Sequence, residues 1–224
     1  MVYNSTGGAM ANLHCLFPVP VYDTEVILNP KSIKSIIDLL NSIGWVQDHD
    51  TLGRPNGKYI RKPNLDILSY PETKELEKII DAEMQFFVHE LLKVDKDKHK
   101  LRRVISWANK QDYGNYVHPH FHSNSQFSGV YYLCVPNESG NIVFEQPGSG
   151  WTTPEWEFNI TEWVDLNTRQ KEFDSYDGRL LLFPSHLKHF VRNSNSHESR
   201  YSIAFNYFVD GNYGNSTNYL TVSG

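Results

Sequence analysis

A chain of 224 residues has room for one core of ordinary size, and its formal charge of −5 argues against nucleic acid as the main partner. The two cysteines, Cys15 and Cys134, form no CxxC pair, which excludes a zinc ribbon or a disulfide scaffold. No run of about 20 apolar residues suggests a membrane span, and the N-terminus lacks a basic region followed by an apolar run, so a cytoplasmic location without a membrane partner is the expectation.

Residues 1–14 are small, polar and glycine-containing, and they read as a disordered start to a single domain over 15–224. The stretch from Cys15 to Val26 alternates and carries Pro18 and Pro20, which suits an edge strand. From Pro30 to Leu40, the apolar residues Ile33, Ile36, Ile37 and Leu40 form a helical stripe, with Asn29 as N-cap and Gly44 as the stop. Residues 45–68 are rich in Gly, Pro, Asn and Asp and predict a long loop near the site. A second helix is predicted over 72–94, burying Leu76, Ile79, Ile80, Phe87, Leu91 and Val94. The helical support thus spans about 30–94 and braces one face of a sheet. From Leu101 onward short strands are predicted over 101–111, 116–122, 127–135, 141–145, 160–166, 179–183, 189–192 and 200–208, separated by turn signals. Eight short strands in 101–208 predict a mainly β domain: a barrel or a double-sheet jelly roll.

The chemistry concentrates in two places. In YVHPHFHSNSQFSGVYYLCV, from Tyr116 to Val135, His118, His120 and His122 alternate, so an extended backbone projects all three imidazoles from one side. Neutral imidazole is a common ligand for iron, zinc and copper. The plainer reading is a solvated polar face or a core histidine. In GRLLLFPSHLKHFV, from Gly178 to Val191, a strand ends at Phe183, Pro184 turns the chain, and His186 and His189 follow. In the next strand Arg200, Ser202, Ala204 and Asn206 share one face, while Tyr201, Ile203 and Phe205 share the other, which is core. An inward arginine needs an anion, because a buried unpaired charge is expensive. The alternatives are a carboxylate ligand, which guanidinium grips bidentately, and a structural ion pair with Asp or Glu.

Together these motifs resemble the iron(II)- and 2-oxoglutarate-dependent dioxygenases. That family shows a His-x-[Asp/Glu] pair, a distal His, and an Arg-x-Ser about ten residues later. Here His120-x-His122, His189 and Arg200-x-Ser202 follow in that order. The phrasing looks closest to the prolyl-hydroxylase-like branch, and within it to a bacterial and phage group with HxHPxSxxSGVYY, LLFPxxLxHxV and RxSIxFN motifs. The stretch Leu16-Phe17-Pro18-Val19-Pro20-Val21-Tyr22 fits that group as well, so the likeness covers about residues 15–208.

The resemblance implies a double-stranded β-helix with Fe(II) held by His120, His122 and His189. It implies 2-oxoglutarate as co-substrate, its far carboxylate on Arg200 with help from Ser202 and Tyr132. Tyr131 would point the other way, into the packing. The expected reaction is hydroxylation of a small-molecule or peptidyl substrate, with 2-oxoglutarate decarboxylated to succinate. His122 stands where the family has a carboxylate, which leaves the site about one charge more positive. His118 competes with His120, and His186 with His189. The loops 45–68 and 147–171, with Trp151, Trp156 and Trp163, are candidates for covering the mouth. Two alternatives remain: a three-histidine cupin-like dioxygenase that does not use 2-oxoglutarate, and a jelly-roll binding module without catalysis.

Overall fold

Period-two alternation over the second half of the chain demands partners for both strand faces, and the first half supplies the helices that cover one of them. The structure, a computed structural model, describes residues 2–4, 10–49, 55–60, 65–148, 158–215 and 217–224. Strands β1 (Val2–Asn4) and β2 (Met10–Asn12) pair antiparallel, where a disordered start was expected. Only Tyr22–Glu25 of the expected first strand is extended; it forms β3, an edge strand paired with a single neighbour. Pro18 and Pro20 precede it and can donate nothing to a ladder. Helix α1 (Pro30–Ile43) starts where Asn29 Oδ1 accepts from the Lys31 N–H at 2.9 Å and ends at Gly44, whose φ of 88° suits glycine.

Residues 45–68 are not one long loop. They contain β4 (Val46–His49) and β5 (Pro55–Ile60), a pair extending the main sheet. Residues 50–54 and 61–64 of that stretch lie outside the described residues. The second helix, α2 (Lys74–Gln85), runs on into a π-helical turn, Phe86–Leu91. The wider turn carries Leu91 off the buried stripe, so it is 50% exposed, while Val88 is buried instead.

The remaining strands are β6 (His99–Gln111), β7 (Val117–His120), β8 (Phe127–Cys134), β9 (Ile142–Glu145), β10 (Gln170–Phe173), β11 (Arg179–Pro184), β12 (His189–Val191), β13 (Arg200–Asn215) and β14 (Asn218–Val222). The strand expected over 160–166 is absent: that stretch bends, with Asn167 Oδ1 accepting from the Val164 N–H and its Nδ2 donating to Glu162 O. Its place beside β9 is taken by β10, where only Phe173 points at a core aromatic, Phe144. Strand β13 continues past Phe208, paired first with β6 and then with β14.

Two sheets face each other. The larger has the order β3-β11-β8-β13-β6-β5-β4, with β14 on β13; the smaller has β10-β9-β12-β7. This is the double-sheet jelly roll expected from the strand count. The outer face of the larger sheet, with Tyr131, Leu133, Leu180, Leu182, Ile203 and Phe205, packs on α1 and α2. The inner face packs Tyr132, Leu181 and Phe183 against Ile142 and Phe144 of the smaller sheet. Alternation thus sorts the strands into a structural side and an inward side. Arg103 fastens the helices to the sheet through Asp66, Glu77 and Asp81, at 3.0, 2.6 and 3.3 Å. No helix among the described residues is long and apolar enough to cross a membrane.

Gly129 sits between Leu182 and Phe205 in the ladder. A Cβ there would lie 2.7 Å from Leu182 Cδ2 and overlap the Phe205 ring. Its place in the SGVYY stretch is therefore explained by packing. Gly129→Ala is expected to lower unfolding stability by about 1–3 kcal/mol, the usual cost of overpacking. Denaturant melts check this, and an unchanged midpoint would refute it.

Candidate metal centre

Strand pairing assembles the histidines. His120 at the end of β7 is directly opposite His189 at the start of β12. His122 follows β7 and is held by its backbone N–H, which donates to Ser185 O at 2.9 Å in the turn after β11. Ring centroids are 4.3 Å apart for His120–His189 and 5.1 Å for each of the other two pairs. One ligand nitrogen from each lies within 4.8 Å of the others. Small ring rotations of the two half-buried histidines close this to the ~4 Å that two ligands of one ion can span.

The protonation chemistry suits a metal. His120 Nδ1 lies 2.8 Å from His118 O, and His189 Nδ1 lies 2.9 Å from Leu187 O. A carbonyl only accepts, so each Nδ1 carries the proton and each Nε2 is left with its lone pair. His189 is 4% exposed between Phe144 and Phe183. Burial pushes its pKa down to about 3, with the neighbouring His120 and His122 rings adding to the effect and the Leu187 carbonyl opposing it. Burial lowers His120 as well. Neutral imidazoles with fixed tautomers are what a divalent ion requires, and among the described residues these three are the cluster that could hold one.

Deeper between the sheets, Arg200 opens β13 on the inner face and is 3% exposed. Nη1 donates to Gly140 O, and the guanidinium lies over the Tyr132 ring at 5.6 Å. Among the described residues no carboxylate pairs with it, and Nε has no hydrogen-bond partner. Burial pulls its pKa down, partly countered by Tyr132. Among the described residues, the structural ion pair left open by the sequence is therefore not what Arg200 makes. Ser202 is paired with Tyr132 in the β13–β8 ladder and shares that inner face. Tyr131 faces the helices, and its hydroxyl donates to Val26 O at 3.0 Å. Gly140 holds φ at 85°, and a Cβ there would overlap Arg192 O, so glycine lets the chain pass close enough to offer its carbonyl to Arg200.

The competing histidines fall elsewhere. His118 packs edge-on against Tyr116 and contributes only its carbonyl to the centre. His186 is exposed and lines, with His122, Gln126, Phe127 and Pro184, a cavity of about 510 Å³. Trp163 is 66% exposed; Trp151 and Trp156 lie outside the described residues. Sequence reasoning missed the buried support for His122. Ser128 Oγ donates to Asn206 Oδ1 at 2.8 Å and shares a hydrogen bond with Ser185 Oγ at 2.8 Å. Trp107, whose ring lies 5.4 Å from that of His122, was also missed. Parity in β13 already put Asn206 inward; nothing in the sequence says that Ser185 meets it.

Residues 105–206 match the family described as "Putative 2OG-Fe(II) oxygenase", a segment holding all three histidines and Arg200. No curated protein sequence matches the chain. Among solved structures, the fold resembles the α-ketoglutarate-dependent epimerase SnoN from nogalamycin biosynthesis, with a TM-score of 0.61, 14% identity, and 86% of this chain and 81% of that one covered. It also resembles HygX from Streptomyces hygroscopicus with nickel, 2-oxoglutarate and hygromycin B bound, with a TM-score of 0.56, 15% identity and coverage of 85% and 83%. A third likeness is to a Trichoplax adhaerens prolyl hydroxylase in complex with a hypoxia inducible factor peptide, with a TM-score of 0.56, 15% identity and coverage of 84% and 83%. These likenesses establish the shared fold, and the family match is confined to the segment bearing the site. Residues 105–206, somewhat under half of the chain, thus resemble the 2OG-Fe(II) oxygenase family, and the fold around them is shared with these solved structures.

Proposed function

We propose that His120, His122 and His189 hold the iron, that Arg200 with Ser202 and Tyr132 takes the far carboxylate of 2-oxoglutarate, and that the reaction is hydroxylation of a small-molecule or peptidyl substrate in the cytoplasm. When bound, iron(II) and 2-oxoglutarate supply the oxidising chemistry: oxygen is consumed, the oxo acid becomes succinate and CO2, and a substrate C–H bond is oxidised. The chain's own residues bind and orient. His189 is fixed by Leu187 O and two phenylalanine rings, so it presents Nε2 from one direction. Arg200 pulls a dianion inward and sets which end meets the metal. The aromatic wall of Phe144, Phe183 and Tyr132 keeps water away from it. The cavity beside His122 and His186 supplies an approach for substrate from the surface.

The observation that carries this reading is the buried guanidinium, without an anionic partner among the described residues, on the inner face of the larger sheet, while the smaller sheet packed against it carries His120 and His189. Three neutral ligands leave the full charge of the ion uncompensated, which favours an anionic chelate. The test is anaerobic titration with Fe(II) and then 2-oxoglutarate, followed by the visible metal-to-ligand charge-transfer band. The band is expected at one equivalent of iron. Iron binding without a band would leave a three-histidine dioxygenase that does not use 2-oxoglutarate, and no iron binding would leave a binding module.

A further inference from the structure

Gln111 is the last residue of β6 and stands directly opposite Arg200 in the β6–β13 ladder. Directly opposite residues project to the same face, so both side chains point inward. Gln111 is 2% exposed and Arg200 3%. Among the described residues neither Nε2 nor Oε1 of Gln111 has a hydrogen-bond partner, and the adjacent guanidinium Nε has none either. Buried amides are normally satisfied, because an unmade hydrogen bond in a dry interior is costly. Two such groups side by side on one inward face mark a place shaped for a polar guest.

The residue type matters as much as the burial. An acidic side chain here would pair with Arg200 and neutralise it, and an aliphatic one would offer nothing. An amide leaves the cation available and adds a neutral N–H donor, while its oxygen can accept from the guanidinium. The nearest acid in sequence, Asp112, is engaged elsewhere, with Lys58 at 2.8 Å and Ser199. The Gln111 stem rests against the backbone of β5: a Cβ on Gly57 would lie 3.9 Å from Gln111 Cγ.

We propose that Gln111 is a second, uncharged ligand for the far carboxylate of 2-oxoglutarate, donating through Nε2 beside Arg200. This rests on the reading that Arg200 receives that carboxylate. The test is calorimetric titration of the full, Ni(II)-loaded chain with 2-oxoglutarate and, separately, with 2-oxopentanoate, which lacks the far carboxylate. Gln111→Leu is expected to weaken 2-oxoglutarate about 10-fold, the value of one hydrogen bond to a charged group, and to leave 2-oxopentanoate within about 2-fold. Gln111→Glu keeps the shape and places a rival carboxylate on Arg200, so it is expected to weaken 2-oxoglutarate further, again sparing 2-oxopentanoate. Should Gln111→Leu not fold, Gln111→Met, which keeps the length and volume of the side chain without its N–H donor, takes its place with the same expected outcome. Unchanged 2-oxoglutarate binding in both Gln111 variants, while Arg200→Leu is impaired, overturns the role of Gln111 alone. Equal weakening of both oxo acids overturns it too, since the effect would then reach the metal end. If Arg200→Leu binds like wild type, the underlying reading has failed.

Discussion

Arg200→Leu is expected to weaken 2-oxoglutarate binding by about 30-fold to several thousand-fold while leaving the apo protein as stable as before, or more stable. The two halves of this outcome have one cause. Arg200 is 3% exposed, has a neutral carbonyl and an aromatic ring for company, and among the described residues has no carboxylate beside it. In the empty protein it is a charge removed from water with little in return, and replacing such groups by apolar ones is commonly neutral or stabilising by about 1–4 kcal/mol. In the proposed complex it would meet a carboxylate in a dry site, where truncating one partner of such a pair costs about 2–5 kcal/mol. At ~1.4 kcal/mol per tenfold, that is the loss of affinity stated above. Calorimetry for the ligand and thermal melts for the apo protein check both halves. A sharp fall in apo stability with unchanged affinity would mean that Arg200 is a structural residue and the carboxylate sits elsewhere.

What the sequence made legible was parity. Alternation in Arg200–Asn206 separated an inward Arg200, Ser202, Ala204 and Asn206 from an outward Ile203 and Phe205, and the packing follows that division. Alternation in His118–His122 put three rings on one side, but it could not choose among them. That choice depends on β12 arriving opposite His120, a contact across almost seventy residues of chain. Non-local pairing is also why other expectations missed. Residues 46–49 and 55–60 look like loop by composition, and they are extended because the edge of β6 offers Ala108, Asn109 and Lys110 as ladder partners. Conversely, 160–166 carries Ile160, Trp163, Val164 and Leu166 yet joins no ladder among the described residues, whereas the polar Gln170–Phe173 pairs with β9. Leu91 obeys the helical period on paper, but the π turn at Phe86–Leu91 adds a residue to the turn and rotates it into solvent.

The same logic explains why the supports of the site were harder to see than its ligands. Imidazole and guanidinium announce chemistry by residue type. Ser128, Ser185 and Gly140 are ordinary residues whose roles exist only once β8, β11 and β13 lie side by side. Gly140 is the clearest case: it holds a positive φ that suits glycine, and its carbonyl accepts a hydrogen bond from the guanidinium.

His189→Ala is expected to reduce Fe(II) affinity by more than about 100-fold, whereas His118→Ala and His186→Ala should change it by less than about 3-fold. Disturbing a hydrogen-bond partner of a ligand already costs about 10–100-fold, so deleting a ligand should exceed that. His189 is the ligand for which the loss is least repairable. It is the buried member of the three, its ring is gripped by Phe144, Phe183 and His120, and Leu187 O fixes its tautomer. No water or side-chain shift reproduces that from outside. His118 lends only a backbone carbonyl, which alanine keeps, and His186 is exposed on the cavity rim. The measurement is anaerobic equilibrium binding of Fe(II), with circular dichroism to establish that each variant is folded; His189→Asn, which keeps more of the volume, covers the case in which the alanine variant is not. If His118→Ala or His186→Ala loses iron and His189→Ala keeps it, the ligand set is wrong and the centre must be rebuilt around the other member of each competing pair.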